Sequence, residues 1–355
     1  MARLLLRALE SAGFAPHLAT GLRTLDKIGD ISAQNDLRRM SQIEAGCLTA
    51  SYQARPSPER PRLWFTYHVY YKAPDWIGPL VSRSLGIPYV IAEGSRAAKR
   101  ANGPWAIGHR GAESALDQAD VVFVMTDHDR EALQRAKPAS QTLVDFPPFI
   151  DLDEWGHLDR EPDSLARASA GAPRLLTVAM MRAGDKLASY EILAAALKHV
   201  QDRAWTLDIV GSGEARPVIE RLFAPLGGRV HFHGELNDRV RLRRLYAEAD
   251  LFVWPAVNEA YGMALLEAQA FGCPVVAGAF GGVPSVVRDQ ETGRLSPPGD
   301  TQAFADTVAA LLDDPVTRQS MGARARRFVL AERGLDHAAQ RLRNALMSLL
   351  DQVRP

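Results

Sequence analysis

The sequence has little of several features that mark specialised classes of protein. Its 355 residues include two cysteines, Cys47 and Cys273, which are too few for a disulfide framework and have no metal-type spacing. The 42 basic residues balance 42 acidic residues, so the bulk positive charge typical of nucleic-acid binding is lacking. No apolar run approaches the roughly 20 residues that a membrane-spanning helix needs. These absences favour a cytoplasmic protein with no nucleic acid as a partner.

The N-terminal segment predicts an amphipathic helix rather than a targeting sequence. Arg3 and Arg7 lie among leucines, and the segment is too short and too charged for a signal peptide. Packing against a core is the first interpretation. Contact with a membrane surface is the alternative, which would place the protein peripherally at the inner face of the membrane.

Short apolar runs alternate with helical stretches in two successive blocks. This pattern predicts an α/β fold with two Rossmann-like, doubly wound domains, which would bind a ligand in a cleft at the carboxyl ends of their strands. The predicted strands are 16–20, 63–68, 87–92, 121–126, 174–179, 206–210, 230–233, 251–254 and 274–277. The predicted division is a first domain at 1–150, a linker at 151–172, a second domain at 173–325, and C-terminal helices at 326–355 that return to the first domain.

The stretch from Asp250 to Gly282 holds the most informative pattern. It predicts a strand ending at Trp254, a loop through Tyr261 and a helix that begins near Gly262. The free N–H groups and the macrodipole of a helix N-terminus attract anions, so a diphosphate would bind well there.

Two carboxylates flank this predicted anion site. Glu259 precedes the helix, and Glu267 follows about five residues inside it, roughly 7 Å along the axis. Because a carboxylate repels phosphate, each is expected to accept hydrogen bonds from hydroxyl groups, at about 1.5–3 kcal/mol per bond. Taken singly, Glu267 would be interpreted as part of a helix-surface salt bridge and Glu259 as a capping acid.

Two other segments supply complementary groups. Arg182 and Lys186 follow the first predicted strand of the second domain, in a loop at the edge where ligands bind, and would neutralise phosphate charge. Gly211 and Gly213 follow the next strand and permit close approach of the backbone. Their segment lacks the third glycine of the dinucleotide fingerprint, and the chain has no P-loop motif, which disfavours a dehydrogenase and an NTPase.

Together these motifs resemble the core of the family-4 retaining glycosyltransferases, also called glycosyl transferases group 1. The resemblance is carried by a Glu-x7-Glu spacing, by the segment EAQAFGCPVVAGAFGG, and by the residues from Thr292 to Asp300. It implies a GT-B type fold and transfer of a sugar from a nucleoside-diphosphate donor, with retention at the anomeric carbon. The acceptor would be a sugar, a lipid-linked compound or another small molecule, in cell-surface polysaccharide or glycolipid synthesis.

The resemblance also implies roles for individual residues. Glu259 would contact hydroxyls of the transferred sugar and Glu267 the ribose, while Arg182 and Lys186 would hold the diphosphate. Further donor contacts would come from Tyr261, Gly262, Met263, Gly211 and Gly213. No cofactor and no metal are expected, because the cations and the helix N-terminus would stabilise the leaving diphosphate. The D-x-D patterns beginning at Asp127 and Asp151 are interpreted as a helix start and part of the linker.

The chain departs from the family pattern in several places. Arg182 and Lys186 are closer in sequence than in most relatives, and Ser285 replaces a frequent acidic residue. Glu93 stands where many relatives carry a histidine that faces the donor sugar. His68 ends the preceding predicted strand, with Lys72 nearby. Glu93 and His68 are therefore catalytic candidates, although His68 is equally compatible with a plain strand-end position.

The front of the first domain is a further departure. Relatives begin with a strand and a glycine-rich turn, whereas this chain opens on a helix. We expect the first domain to lack its first strand, and Met1 to be an internal start with about 20–40 residues upstream.

Three other functions remain open at this point. A nucleotide-sugar epimerase would need its own acid–base pairs, for which the sequence offers no clear candidate. A degenerate transferase would bind nucleotide without turnover. A glycosidase is disfavoured, because its two carboxylates should flank one scissile bond.

Overall fold

The computed structural model describes residues 1–156 and 171–352, and residues 157–170 of the predicted linker lie outside the described residues. The helices are α1 Ala2–Ser11, α2 Ile31–Gln53, α3 Gly78–Leu85, α4 Ala106–Gln118, α5 Asp127–Ala136, α6 Asp185–His199, α7 Arg216–Phe223, α8 Arg239–Glu248, α9 Met263–Ala270, α10 Thr301–Asp313, α11 Pro315–Glu332 and α12 Leu335–Gln352. The strands are β1 Trp64–Val69, β2 Tyr89–Gly94, β3 Val121–Val124, β4 Thr142–Asp145, β5 Arg174–Val178, β6 Thr206–Val210, β7 Val230–Gly234, β8 Leu251–Trp254, β9 Val275–Gly278 and β10 Gly293–Ser296. The predicted α/β class is confirmed.

The described chain divides into two compact units. The first unit contains residues 1–147 and the part of α12 from Ala338 onward, and the second unit contains residues 148–337. Within the first unit, Arg341 of α12 donates a hydrogen bond to the carbonyl of Asp145 at 3.2 Å. Among the described helices, none combines the length and apolar character needed to span a bilayer.

The first unit is built on a parallel sheet whose described strands lie in the order β1-β2-β3-β4. Central strand β2 is almost entirely buried because helices cover both faces of such a sheet. Its core includes Ile91, Leu116 and Val122, all with no exposed surface. Helix α1 buries Leu5, Ala8 and Leu9, which confirms the prediction of an amphipathic helix packed on a core.

Three predictions for the N-terminal half were wrong or incomplete. The residues predicted as a strand at 16–20 form no strand, and Leu18 is 82% exposed, because the apolar run has no partner strand. The sequence of residues 23–60 is polar and predicts only a weak helical stretch, whereas the structure has the 23-residue helix α2 there. Its buried positions include the polar Gln34 and Ser41, so no clear apolar period marks the helix. Strand β4 was missed because it is only half-buried.

The second unit contains a parallel sheet whose described strands lie in the order β10-β9-β8-β5-β6-β7. Strands β8 and β9 are fully buried. The chain runs outward from β5 through β6 and β7, then returns to place β8 on the other side of β5. The strand order therefore reverses at β5, and ligands bind in open parallel sheets beside such a reversal, at the carboxyl ends of the strands. The two units confirm the prediction of two Rossmann-like domains.

Candidate functional site

A cavity of about 630 Å³ lies in the second unit at the carboxyl ends of β5, β6 and β8. This volume is typical of sites for small molecules and cofactors. Eight of the residues predicted for the site line it: Arg182, Lys186, Gly211, Gly213, Glu259, Gly262, Met263 and Glu267. The structure therefore brings together groups from three separate stretches of sequence. Tyr261, the other predicted donor contact, precedes Gly262 but is not part of the cavity lining.

Glu259 and Lys186 form an ion pair inside the cavity. Lys186 Nζ lies 2.5 Å from Glu259 Oε2, and the two side chains are 25% and 17% exposed. Trp254 completes the group, because its indole N–H donates to the same oxygen at 3.3 Å and its ring lies 5.4 Å from Lys186 Nζ. Lys186, which is predicted to bind phosphate, and Glu259, which is predicted to bind the sugar, are thus in direct contact.

Lys186 reaches this position from a helix rather than from the predicted loop. Helix α6 begins at Asp185, before Lys186, and Gly184 is its N-cap with a φ of 78°. Lys186 therefore lies in the first helical turn. Arg182 remains in the loop and is exposed at the rim. Backbone N–H groups of Glu214 and Ala183, together with the more weakly acting charge of Arg182, hold the pKa of Glu214 below its usual range.

Glu267 lies within α9 and is held by a tyrosine that the sequence analysis did not select. The hydroxyl of Tyr246 donates to Glu267 Oε2 at 2.8 Å. Tyr246 is fully buried and stacks on Phe271, with ring centroids 5.7 Å apart and an interplanar angle of 4°. Burial raises the pKa of Glu267 to about 7, and the hydrogen bond from Tyr246 opposes that shift. A buried tyrosine hydroxyl needs a partner, which is the signal that could have identified Tyr246.

The start of α9 presents backbone N–H groups to the cavity. Gly262 is the N-cap with a φ of 72°, and a Cβ there would lie 2.6 Å from a Leu265 side-chain carbon. Met263 and Ala264 follow it and line the cavity. The first N–H groups of any α-helix have no acceptor within the helix, so these residues can donate to an anion.

Gly211 and Gly213 are required by the neighbouring backbone. A Cβ on Gly211 would lie 1.9 Å from the carbonyl oxygen of Ala179, and one on Gly213 would lie 2.2 Å from that of Met181. Backbone hydrogen bonds join the two loops, including Met181 N–H to the Ser212 carbonyl at 2.9 Å. The loops after β5 and β6 therefore form one rigid wall of the cavity.

Substitution Gly211→Ala is expected to lower the free energy of unfolding by about 3 kcal/mol, because its methyl group would collide with a backbone carbonyl at a φ of 145°. Chemical denaturation followed by fluorescence measures the change. The matched control is Gly228→Ala, where a Cβ meets nothing within 4 Å and the stability should stay equal or rise by less than about 1 kcal/mol. Equal stability of both variants would contradict the tight loop packing.

The two catalytic candidates of the first unit are also paired. His68 Nδ1 lies 2.9 Å from Glu93 Oε1. Both residues adopt the left-handed conformation, with φ of 67° and 63°. Neither takes part in the residue-by-residue pairing of β1 with β2. Such strain costs on the order of 1–3 kcal/mol per residue and concentrates at functional sites. The structure thus joins Glu93 and His68, and their predicted catalytic role remains a prediction.

The D-x-D patterns lie where helix starts and turns explain them. Asp129 accepts a hydrogen bond from the Thr126 hydroxyl at 2.7 Å at the start of α5, and Asp151 is buried. Within residues 1–156 and 171–352, no group of three or more acidic, histidine or cysteine side chains is arranged to hold a metal ion.

Comparisons with known proteins relate these features to a family. Residues 172–314 match the family described as Glycosyl transferases group 1. A D-inositol 3-phosphate glycosyltransferase of Mycobacterium sp. (strain KMS) is 34% identical over 209 residues, which cover 57% of this chain and 47% of the relative. A GDP-mannose-dependent monoacylated alpha-(1-6)-phosphatidylinositol monomannoside mannosyltransferase of Corynebacterium glutamicum is 37% identical over 147 residues, covering 39% and 38%. The chain spans about half the length, or less, of these two curated relatives.

Solved structures are similar over most of the chain. Sucrose-phosphate synthase from Thermosynechococcus elongatus has a TM-score of 0.71 at 20% identity, covering 99% of this chain and 93% of that one. Anabaena Alr3699/HepE in complex with UDP has a TM-score of 0.66 at 17% identity, covering 86% and 82%. These similarities confirm the predicted family resemblance and the predicted fold. The chain carries a glycosyl transferases group 1 domain at residues 172–314, within a fold of the GT-B type.

Proposed function

We propose that this protein is a retaining glycosyltransferase that moves a sugar from a nucleoside-diphosphate donor to a hydroxyl group of an acceptor, without a metal ion. The observation that carries the proposal is the cavity of the second unit. It combines a half-buried lysine, two carboxylates and a helix N-terminus at the point where the strand order reverses. The matched family domain supports the same conclusion.

Each part of a nucleotide sugar has a suitable partner in this cavity. The diphosphate would accept from the N–H groups at the start of α9 and would bind Lys186, with Arg182 at the rim. Glu267 would accept hydrogen bonds from the ribose hydroxyls. A diphosphate that attracts Lys186 would release Glu259, whose carboxylate would then accept from hydroxyls of the transferred sugar.

The proposed reaction needs no protein nucleophile. The acceptor oxygen forms a bond to the anomeric carbon while the bond from that carbon to the diphosphate oxygen breaks. The electron pair of the broken bond stays on the diphosphate, which receives the proton of the acceptor hydroxyl on the same face of the sugar. Lys186, Arg182 and the N-terminus of α9 stabilise the negative charge that develops on the leaving group.

The names of the relatives support an acceptor in glycolipid or cell-surface polysaccharide synthesis. One relative is named for D-inositol 3-phosphate and another for a phosphatidylinositol monomannoside. We place the reaction in the cytoplasm, with a peripheral position at the inner face of the membrane when the acceptor is a lipid.

The first test is a donor panel on the full chain. UDP or GDP is expected to raise the melting temperature, because a ligand at 100 times its Kd adds about 2.7 kcal/mol of stability. The nucleotide sugar that binds should then yield product with each candidate acceptor, and NMR of the product should show the anomeric configuration of the donor. An isomeric sugar formed without acceptor would indicate an epimerase. Binding without turnover on any acceptor would indicate a degenerate transferase, and absence of nucleotide binding would overturn the proposal.

A further inference from the structure

Lys72 and Arg100 lie over the same two aromatic rings in the first unit. Lys72 Nζ is 5.8 Å from the ring centroid of Tyr71 and 5.1 Å from that of Trp105. Arg100 Cζ is 5.2 Å from each of the same centroids. The two rings meet edge to face at 5.7 Å. Two positive charges therefore share one aromatic platform.

No carboxylate of the described chain pairs with either cation. The contacts of both side chains are with the two rings, and Arg100 Nε is buried without a hydrogen-bond partner among the described residues. Asp26 is an acid of the same region, but its carboxylate accepts from the N–H groups of Ile28 and Gly29 and from the Gln34 amide. Two like charges over the same pair of rings repel each other, and an anion bound by both would remove that repulsion.

The platform lies beside the carboxyl ends of β1 and β2. Lys72 follows β1 and Arg100 follows β2, and because these strands are parallel neighbours both residues leave the same edge of the sheet. Ring contacts connect the platform to the candidate pair at the strand ends. The rings of His68 and Tyr70 are 4.6 Å apart, and those of Tyr70 and Tyr71 are 5.6 Å apart.

We propose that Lys72 and Arg100 bind the phosphate group of the acceptor, so that the acceptor is a phosphorylated polyol whose ring packs on Tyr71 and Trp105. A planar guanidinium and an ammonium are the groups that proteins use for phosphate, and aromatic faces suit the apolar face of a ring of hydroxyls. Calling this ligand the acceptor rests on the proposed function, whereas phosphate binding does not. The phosphate can belong to a free polyol phosphate or to a phosphatidylinositol headgroup.

The test compares the affinities of inositol 3-phosphate and unphosphorylated inositol, measured by calorimetry on the full chain with saturating nucleoside diphosphate. The parent protein is expected to bind the phosphorylated probe at least tenfold more tightly. Lys72→Gln and Arg100→Gln should each lose about tenfold for that probe and little for inositol. Lys72→Arg should restore most of the preference, which separates the charge from packing. The matched control is Arg39→Gln, which removes the same charge from an exposed position of helix α2 and should change neither affinity.

Vesicle binding distinguishes the two sources of phosphate. The site binds a lipid headgroup if the protein co-sediments with phosphatidylinositol vesicles but not with phosphatidylcholine vesicles, and if Arg100→Gln abolishes this co-sedimentation. Binding of the soluble phosphate alone assigns it to a free acceptor. Equal affinity for the two soluble probes, together with no preference for phosphatidylinositol, would overturn the inference. Nucleoside-diphosphate binding is measured in the same samples. If the unsubstituted protein binds no nucleoside diphosphate, the proposed function is overturned instead.

Discussion

Lys186→Ala is expected to lower kcat for sugar transfer by about 10²–10³-fold and to weaken nucleoside-diphosphate binding by about tenfold. The ammonium would act on the leaving diphosphate in a partly buried site, where one such donor has effects of this size on kcat. The larger loss in kcat arises because negative charge on the diphosphate grows as the sugar leaves. Release of nucleotide during turnover gives kcat, and calorimetry gives the affinity.

Because Lys186 and Glu259 form an ion pair, comparing substitutions at the two positions separates their effects on kcat and on nucleotide affinity. Glu259→Gln should lower kcat strongly, yet it should leave nucleoside-diphosphate affinity equal or higher, because Lys186 no longer has a carboxylate partner at 2.5 Å. Lys198→Ala removes an exposed lysine from the same helix α6 and should alter neither quantity. Full turnover by Lys186→Ala would refute the assigned role of this lysine.

Glu267→Ala is expected to weaken nucleoside-diphosphate binding by about 100-fold, since it removes the acceptor of two charge-assisted hydrogen bonds from the ribose. It also leaves the buried hydroxyl of Tyr246 without its partner. Calorimetry with UDP and GDP measures the loss. An unchanged affinity would contradict the ribose role.

The raised pKa of Glu267 gives this prediction a pH signature. The folded protein raises the pKa of Glu267 from its ordinary 4.5 to about 7, so the folded state holds this proton over that pH window while the unfolded chain loses it. Glu267 therefore makes the free energy of unfolding fall as pH rises through the window. Hydroxyls prefer the ionised acceptor, so nucleotide affinity should rise by about tenfold between pH 6 and 8. Glu267→Gln should retain only the pH dependence of the nucleotide itself. The same slope in both proteins would assign the titration to another group.

Several strands of the second unit could be predicted accurately from the sequence. Strands β6 and β8 have the predicted bounds, because each is a continuous apolar run between polar turns. Elements with weaker burial escaped prediction, such as edge strand β10, which begins with Gly293 and contains Arg294. The false strand at 16–20 shows the converse, since an apolar run forms a strand only when another strand pairs with it.

The candidate site could be predicted by position and less well by contact. The spacing of Glu259 and Glu267 and their loop–helix context indicated a ligand site, and both residues line the cavity of the second unit. The pairing of Glu259 with Lys186 joins residues far apart in the chain and depends on where Gly184 allows α6 to begin. The contact between Tyr246 and Glu267 likewise depends on how α8 packs beside α9. Such tertiary contacts have no local signal in the sequence.

All described lining residues of the cavity lie between Val178 and Glu267 in the sequence, so the second unit alone supplies them. Under the proposed function, the cavity residues that contact the nucleotide sugar would be inherited or exchanged together, as part of one domain. Under the same proposal, mutations in the first unit, including those at Lys72 and Arg100, would change acceptor choice without altering any residue that lines the cavity. New acceptors could then evolve on a constant donor chemistry.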